Sequence, residues 1–319
     1  MPNASAEAFA PATVANLGVG FDILGLALRE PGDRVRVDHR DQSGAVIVAI
    51  EGDGGKLPHD PQKNTACIAA NSVLKALGVS SGVGITLHKH LPLASGLGSS
   101  AASAVAAAVA VNALFGELLT RPELLPACLD GEAAVSGYHA DNVGPSLLGG
   151  ITLITGTNSD QIRNLPVPEG VYLALVTPDV AVPTAEARAV LPKTVSLHDM
   201  VAQTGAVARL VDAIYRADVR GLAAIMEQDC IIEPARAHLM PKLIEVREAA
   251  KQAGALGLVI SGAGPTLCAV CDDEKIAELV ATAMKNVYDR VGIQSAARHT
   301  RIAVDGAKVL RLNDQQLDR

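Results

Sequence analysis

Hydrophobic and polar positions follow two periods along the chain, and the switches between them predict short strands interleaved with helices. Residues 35–39 and 45–50 are β-branched runs that read as paired strands, the second ending at the glycine-rich turn 52–55. Residues 64–77 have helical spacing and stop at Gly78. Residues 84–90 alternate like a half-exposed strand. After the Pro- and Gly-rich loop 91–98, Ser99 opens an alanine-rich helix ending near Gly116. A helix over 122–135 and a strand over 150–155 follow, and the polar, Pro-containing stretch 156–170 is the candidate domain boundary. Beyond it the pattern predicts a strand at 171–177, helices through most of 195–228 and another at 241–253. Strands at 256–261 and 266–271 then flank a glycine turn, before a helix at 273–291 and a closing strand. Both halves interleave the two element types, which places the chain in a mixed α and β class.

Composition narrows the function. At 319 residues the chain exceeds one ordinary core and suggests two domains. An apolar fraction of 49% excludes a disordered chain. A net charge of −7 with 2% aromatic residues argues against a nucleic-acid partner. No run approaches the ~20 apolar residues that span a bilayer, and the N-terminus has no signal-peptide pattern. A cytoplasmic protein with no membrane partner is expected. Five scattered cysteines do not form a disulfide framework. Cys268 and Cys271 lie three apart in a predicted strand, so they face opposite sides and read as core. His88 and His90 share a strand face without an identifiable third metal ligand, which predicts a solvent-facing edge.

The chemistry concentrates in the loop containing Pro92, Leu93, Ala94, Ser95, Gly96, Leu97, Gly98, Ser99, Ser100, Ala101 and Ala102. It follows a strand and enters a helix directly. Two glycines let the backbone approach a ligand, and the unpaired amides and partial positive charge of the helix start favour an anion. A plain serine-capped helix start explains one serine and one glycine, but not the doubled cluster. The loop also fits the dinucleotide pattern G-x-G-x-x-A, yet Glu117 falls at the helix end with no second strand to carry it to a ribose. The G-x-x-x-x-G-K-[ST] loop is absent, because Gly55 and Lys56 are followed by Leu57. A second turn, containing Gly262 and Gly264, is by itself explained by hairpin geometry.

Together with the segment 10–25, which contains Asn16, Gly18, Gly20, Asp22 and Gly25, these loops resemble in order the three motifs of the GHMP kinases, small-molecule kinases for galactose, homoserine, mevalonate and phosphomevalonate. Segments 60–64, 139–145, 184–192 and 232–236 are similar to the homoserine-phosphorylating branch, and the likeness covers about residues 9–272. The resemblance implies an α+β chain of two domains. These are an ATP-binding, ribosomal-protein-S5-like N-terminal domain at 1–160 and a ferredoxin-like C-terminal domain at 161–319. It also implies transfer of phosphate from ATP to the hydroxyl of L-homoserine, a step towards threonine, and suggests a homodimer.

The residues meet that reaction's demands. Arg188 and Arg236 are the expected carboxylate clamp, since guanidinium forks match carboxylates, and Thr184 shares a helix face with Arg188. Asn16, Asp22, His139, Asp141 and Asn142 are candidates to orient the ammonium and hydroxyl, although turn and loop roles also account for them. Glu132 with Ser100 is expected to bind Mg²⁺ bridging the phosphates, and Asn64 to contact adenine or cap its helix. Asn16, Asp22, Asn142 and Glu132 form the expected catalytic set. Mevalonate kinases pair an Asp with a Lys near the first motif. Here Phe9 to Pro11 contains no lysine and position 16 is Asn, so no dedicated base is expected. Ala263 stands where homoserine kinases often carry Ser.

Overall fold

The computed structural model of the chain describes residues 3–313. The first sheet is ordered β11 (Lys308–Asn313), β1 (Ser5–Ala15), β2 (Leu24–Arg40), β4 (Gly82–His88) and β3 (Gly44–Glu51). The hairpin of β5 (Ile151–Ile154) and β6 (Ile162–Leu165) attaches to the first residues of β2. Residues 35–39 and 45–50, expected as neighbours, are therefore separated by β4, which runs antiparallel to β2 and parallel to β3. Gly82 makes room for the crossing. The 41–43 link arches over it so closely that a Cβ there would stand 2.1 Å from the Gly44 oxygen and 2.3 Å from the Gln42 oxygen. A three-residue link reads as a hairpin, and the inserted strand comes from a partner some forty residues away.

On this sheet pack α1 (Thr65–Ala76), α2 (Ser99–Leu114), α3 (Arg121–Ala133) and α4 (Ala140–Leu148). α2 is buried all round, consistent with a helix apolar on every face, and its alanines let β1, β2, α1 and α3 approach it together. α4 was not expected from the sequence, because Gly144 and Pro145 weaken its helical signature; its buried positions Ala140, Val143 and Leu147 hold it in place.

The second sheet is ordered β10 (Ser295–Arg301), β7 (Tyr172–Pro178), β9 (Leu267–Cys271), β8 (Gly257–Ile260), all antiparallel. With α5 (Thr184–Ala189), α6 (Leu197–Tyr215), α7 (Val219–Met226), α8 (Ile232–Arg236), α9 (Leu243–Gln252) and α10 (Glu274–Arg290), it follows the ferredoxin-like strand order. One face joins the core of the first sheet and the other packs on α9 and α10. Cys268 points into the first core and Cys271 into the second, as the strand period requires, and burial pushes both thiols up to about 12. All five cysteines are free. Residues 162–165 and 308–313 lie in the first sheet, so sheet membership does not follow a single cut at 160. Among the described residues no helix is long and apolar enough to cross a membrane.

Candidate active site

A cleft of about 380 Å³ opens where the 91–98 loop, the 16–22 loop, the first turns of α2, α4 and α5, and the 262–264 turn converge. At one end the main chain forms the wall. Gly96 and Gly98 are left-handed, at φ +78° and +64°. A Cβ on Gly96 would stand 2.3 Å from the Ser261 oxygen, and one on Gly98 2.1 Å from Thr13 Oγ1. The two glycine turns are locked together. Ser261 Oγ donates to the Gly96 oxygen at 2.6 Å, and the Thr266 N–H to the Ser95 oxygen at 3.1 Å. The unpaired first-turn amides of α2 and its positive dipole end thus face the cleft as a preformed anion site.

Beneath this end lies a buried ion pair. Lys89 Nζ donates to Asp33, to the Ser99 oxygen at 2.9 Å, to Ser99 Oγ at 2.7 Å and to Ser103 Oγ at 2.9 Å. Asp33 also accepts from the His90 and Leu91 amides at 3.0 and 3.1 Å. Desolvation lowers the Lys89 pKa, against the opposing pull of Asp33. β4 alternates as the half-exposed reading of 84–90 predicts, but it is an interior strand, so the edge expected for His88 and His90 is not there: His90 is exposed and His88 bonds Glu51 at 2.9 Å, while Lys89 lies inside with Ile85 and Leu87. That period-two register was the available signal. The pair ties β2, the end of β4 and the first turn of α2 into one unit.

Glu132, on α3, is 4% exposed. Burial raises its pKa, while the Ser136 hydroxyl, which donates to Oε1, the nearby Ser100 hydroxyl and the Lys89 charge pull it down. Its Oε2 is buried with no partner among the described residues. An orphaned carboxylate oxygen beside two hydroxyls on the cleft wall is a hard-oxygen donor set that fits a Mg²⁺ ion.

The opposite end is made of side chains. Arg188 forks onto Asp22, Nη1 to Oδ2 at 3.1 Å and Nη2 to Oδ1 at 2.8 Å. His139 Nδ1 lies 3.6 Å from the same carboxylate, its pKa lowered by burial and by Arg188. Arg236 is buried and donates to the Ala187 oxygen at 2.9 Å and the Gly262 oxygen at 3.0 Å. Both guanidinium groups lie over the Phe21 ring, 5.4 and 5.1 Å from its centre. Asn16 spans the two ends, its Nδ2 donating to the Gly262 oxygen at 3.0 Å and its Oδ1 accepting from the Asp22 amide at 3.1 Å. Asn142 is oriented by Thr13, whose hydroxyl donates to Oδ1 at 2.6 Å and leaves the amide NH₂ free for a ligand. Asp141 is 5% exposed, and desolvation, with the Asp22 and Glu132 charges, pushes its carboxyl up to about 7.

Of the residues singled out in the sequence, Asn16, Asp22, Asn64, Leu93, Ala94, Ser95, Gly96, Gly98, Ser99, Ser100, Glu132, His139, Asp141, Asn142, Thr184, Arg188, Arg236 and Gly262 line this one cleft. Leu97, Ala101 and Ala102 face the core instead, Pro92 is exposed, and a Cβ on Gly264 would meet Met240. Asn64 caps α1, its Oδ1 accepting from Ala66 at 3.0 Å, and donates to the Pro58 oxygen at 2.9 Å, so one N–H remains for a ligand. Sequence reasoning missed Thr13, Phe21, Lys89, Ser103 and Ser136. For all but Lys89 the signal is tertiary proximity alone.

The GHMP kinases N terminal domain matches residues 64–150 and the GHMP kinases C terminal domain residues 210–290. Homoserine kinase of Chloroherpeton thalassium is 40% identical over 95% of this chain and 98% of its own length. That of Arabidopsis thaliana is 44% identical, covering 96% of this chain and 85% of its own. The crystal structure of homoserine kinase from Cytophaga hutchinsonii superposes with a TM-score of 0.92 at 42% identity, covering 96% and 98% of the two chains. Mevalonate kinase of L. major shares the fold, with a TM-score of 0.71 at 16% identity. With this fold, this cleft and these relatives, the chain belongs to the GHMP kinases, in their homoserine kinase family.

Proposed function

We propose that the chain transfers the γ-phosphoryl group of ATP to the side-chain hydroxyl of L-homoserine, giving ADP and O-phospho-L-homoserine on the route to threonine. The observation that carries this reading is the polarity of the cleft. A main-chain anion site at the α2 terminus faces a cluster of two arginines and two aspartates suited to a zwitterion. The polyphosphate lies against the α2 amides and the 95–100 loop. Glu132 and Ser100 would hold Mg²⁺, which would supply charge neutralisation to the phosphates. Arg188 and Arg236 take the carboxylate, while Asp22, Asp141 and His139 surround the ammonium, with Thr184 on the wall beside Arg188. Asn142 donates to the hydroxyl oxygen, and Asn16 keeps the Asp22 loop in register with the phosphate end.

Phosphoryl transfer through a loose transition state needs mainly such positioning and charge neutralisation, so no residue is assigned as a strong base. An N-terminal ATP-binding unit, read as 1–160 but joined in its sheet by β6 and β11, and a C-terminal unit over the rest of 161–319 accompany this reading. A cytoplasmic location accompanies this reading, and a homodimer, supported by the family resemblance, is checked by sedimentation of the purified protein. The functional test is ADP release measured with L-homoserine, mevalonate and galactose in parallel. Homoserine is expected to dominate kcat/KM, and a preference for either of the others overturns the proposal.

A further inference from the structure

Two of the charges expected to hold an amino acid, Arg188 and Asp22, hold each other. Arg188 and Asp22 form a two-bond fork at 2.8 and 3.1 Å. The fork does not satisfy the guanidinium, because Arg188 Nε is buried with no acceptor among the described residues. The Asp22 main chain is pinned, at φ +61° and by the bond from its amide to Asn16, so what can move is its carboxylate. The Phe21 ring beneath Arg188 and Arg236 gives the guanidinium a flat surface on which to turn without losing its stacking.

We propose that the Asp22–Arg188 pair is an exchange pair, which makes the site read an α-carboxylate and an α-ammonium together. The proposal rests on the homoserine reading above and deepens it. A ligand with only a carboxylate that takes Arg188 detaches it from Asp22 and leaves that carboxylate with only His139 beside it. A ligand with only an ammonium must detach Asp22 and leave Arg188 without its anion. Orphaning a charged partner in a half-buried site is costly. An amino acid replaces both halves at once, its carboxylate on Arg188 and its ammonium on Asp22, so no charge is stranded. Selectivity for the zwitterion then comes from the pair that must be broken as much as from the contacts that are made.

Calorimetry on the magnesium-ADP complex tests this with three ligands: L-homoserine, 4-hydroxybutyrate (no ammonium) and 3-aminopropan-1-ol (no carboxylate). Asp22→Asn releases Arg188 and is expected to tighten 4-hydroxybutyrate on the order of 10-fold while weakening homoserine by a similar factor. Arg188→Gln is expected to tighten 3-aminopropan-1-ol in the same way, and it carries the test alone if the first variant fails to fold. Unchanged or weaker binding of the matching half-ligand in the folded variant overturns the exchange while homoserine binding to the wild type still stands. Absence of homoserine binding to the folded wild type overturns the functional reading, and the exchange with it.

Discussion

The phosphate end of the cleft is built from main chain and the amino-acid end from side chains. At the first, conformation is set by left-handed glycines whose missing Cβ atoms let the 91–98 and 262–264 turns and Thr13 close to contact distance. At the second, Asp22, His139, Asp141, Arg188 and Arg236 come from four separate segments and are arranged by ion pairs and stacking. A backbone site recognises what every nucleotide substrate shares, and its shape follows from local geometry. A side-chain site can change its ligand by changing a few residues without altering the fold.

The sharpest challenge to that contrast is Lys89, because it places a side-chain ion pair under the main-chain end. Lys89→Met leaves Asp33 buried without a counter-charge, which is expected to cost about 3–5 kcal/mol of stability in urea denaturation. Adding Asp33→Asn to that variant should recover part of the loss. A Lys89→Met protein as stable as wild type would mean that the glycine turns hold the site unaided.

Arg236 tests whether the ends are separable. It reaches the amino-acid cluster but also holds the Gly262 oxygen at the phosphate end. Arg236→Ala is expected to raise KM for homoserine about 10–150-fold, as for a lost charged hydrogen bond, and KM for ATP by a smaller factor. An unchanged ATP KM would show the ends to be independent. Glu132→Gln should act at the phosphate end alone, raising the Mg²⁺ concentration for half-maximal rate about 10–100-fold, with homoserine KM little changed.

Asp141 gives the amino-acid end a pH dependence. Its folded pKa, about 7, lies above the unfolded value of roughly 4. The native state therefore binds the extra proton between them. Stability from neutral Asp141 is complete below about pH 4 and is lost as the pH rises to about 7. Binding of an ammonium ligand runs the other way, since it favours the ionised carboxylate. Homoserine KM is expected to fall several-fold between about pH 6 and pH 8, and Asp141→Asn should flatten both trends.

The same contrast explains what the sequence could disclose. The Gly96, Gly98 and doubled-serine cluster is local, so an anion site was readable there without structure. The pairing of β4 between β2 and β3 was not, because it joins segments far apart along the chain. Helix α4 was hidden by Gly144 and Pro145, although the segment it begins with, Asp141 and Asn142, was already singled out. Arg188 and Arg236 were assigned through family resemblance, since arginine in isolation is usually solvated. Phe21 between them, Thr13 behind Asn142 and Ser136 beside Glu132 have meaning only once the chain is folded.

Thr13 offers the smallest effect and the finest test. It lies in β1, fully buried, and its hydroxyl is bonded to the Asn142 amide oxygen at 2.6 Å against Gly98. In this role it touches neither substrate; it fixes which edge of the Asn142 amide faces the cleft. Thr13→Val keeps shape and volume and removes only the donor, a loss of about 0.5–1.5 kcal/mol. If the amide then flips, its oxygen rather than its NH₂ meets the homoserine hydroxyl. The expected outcome is a fall in kcat of about 2–10-fold, with both KM values and the unfolding midpoint little changed, and recovery in Thr13→Ser. A loss confined to stability, with kcat intact, would mean that Thr13 only packs β1 against α4 and that Asn142 keeps its orientation unaided.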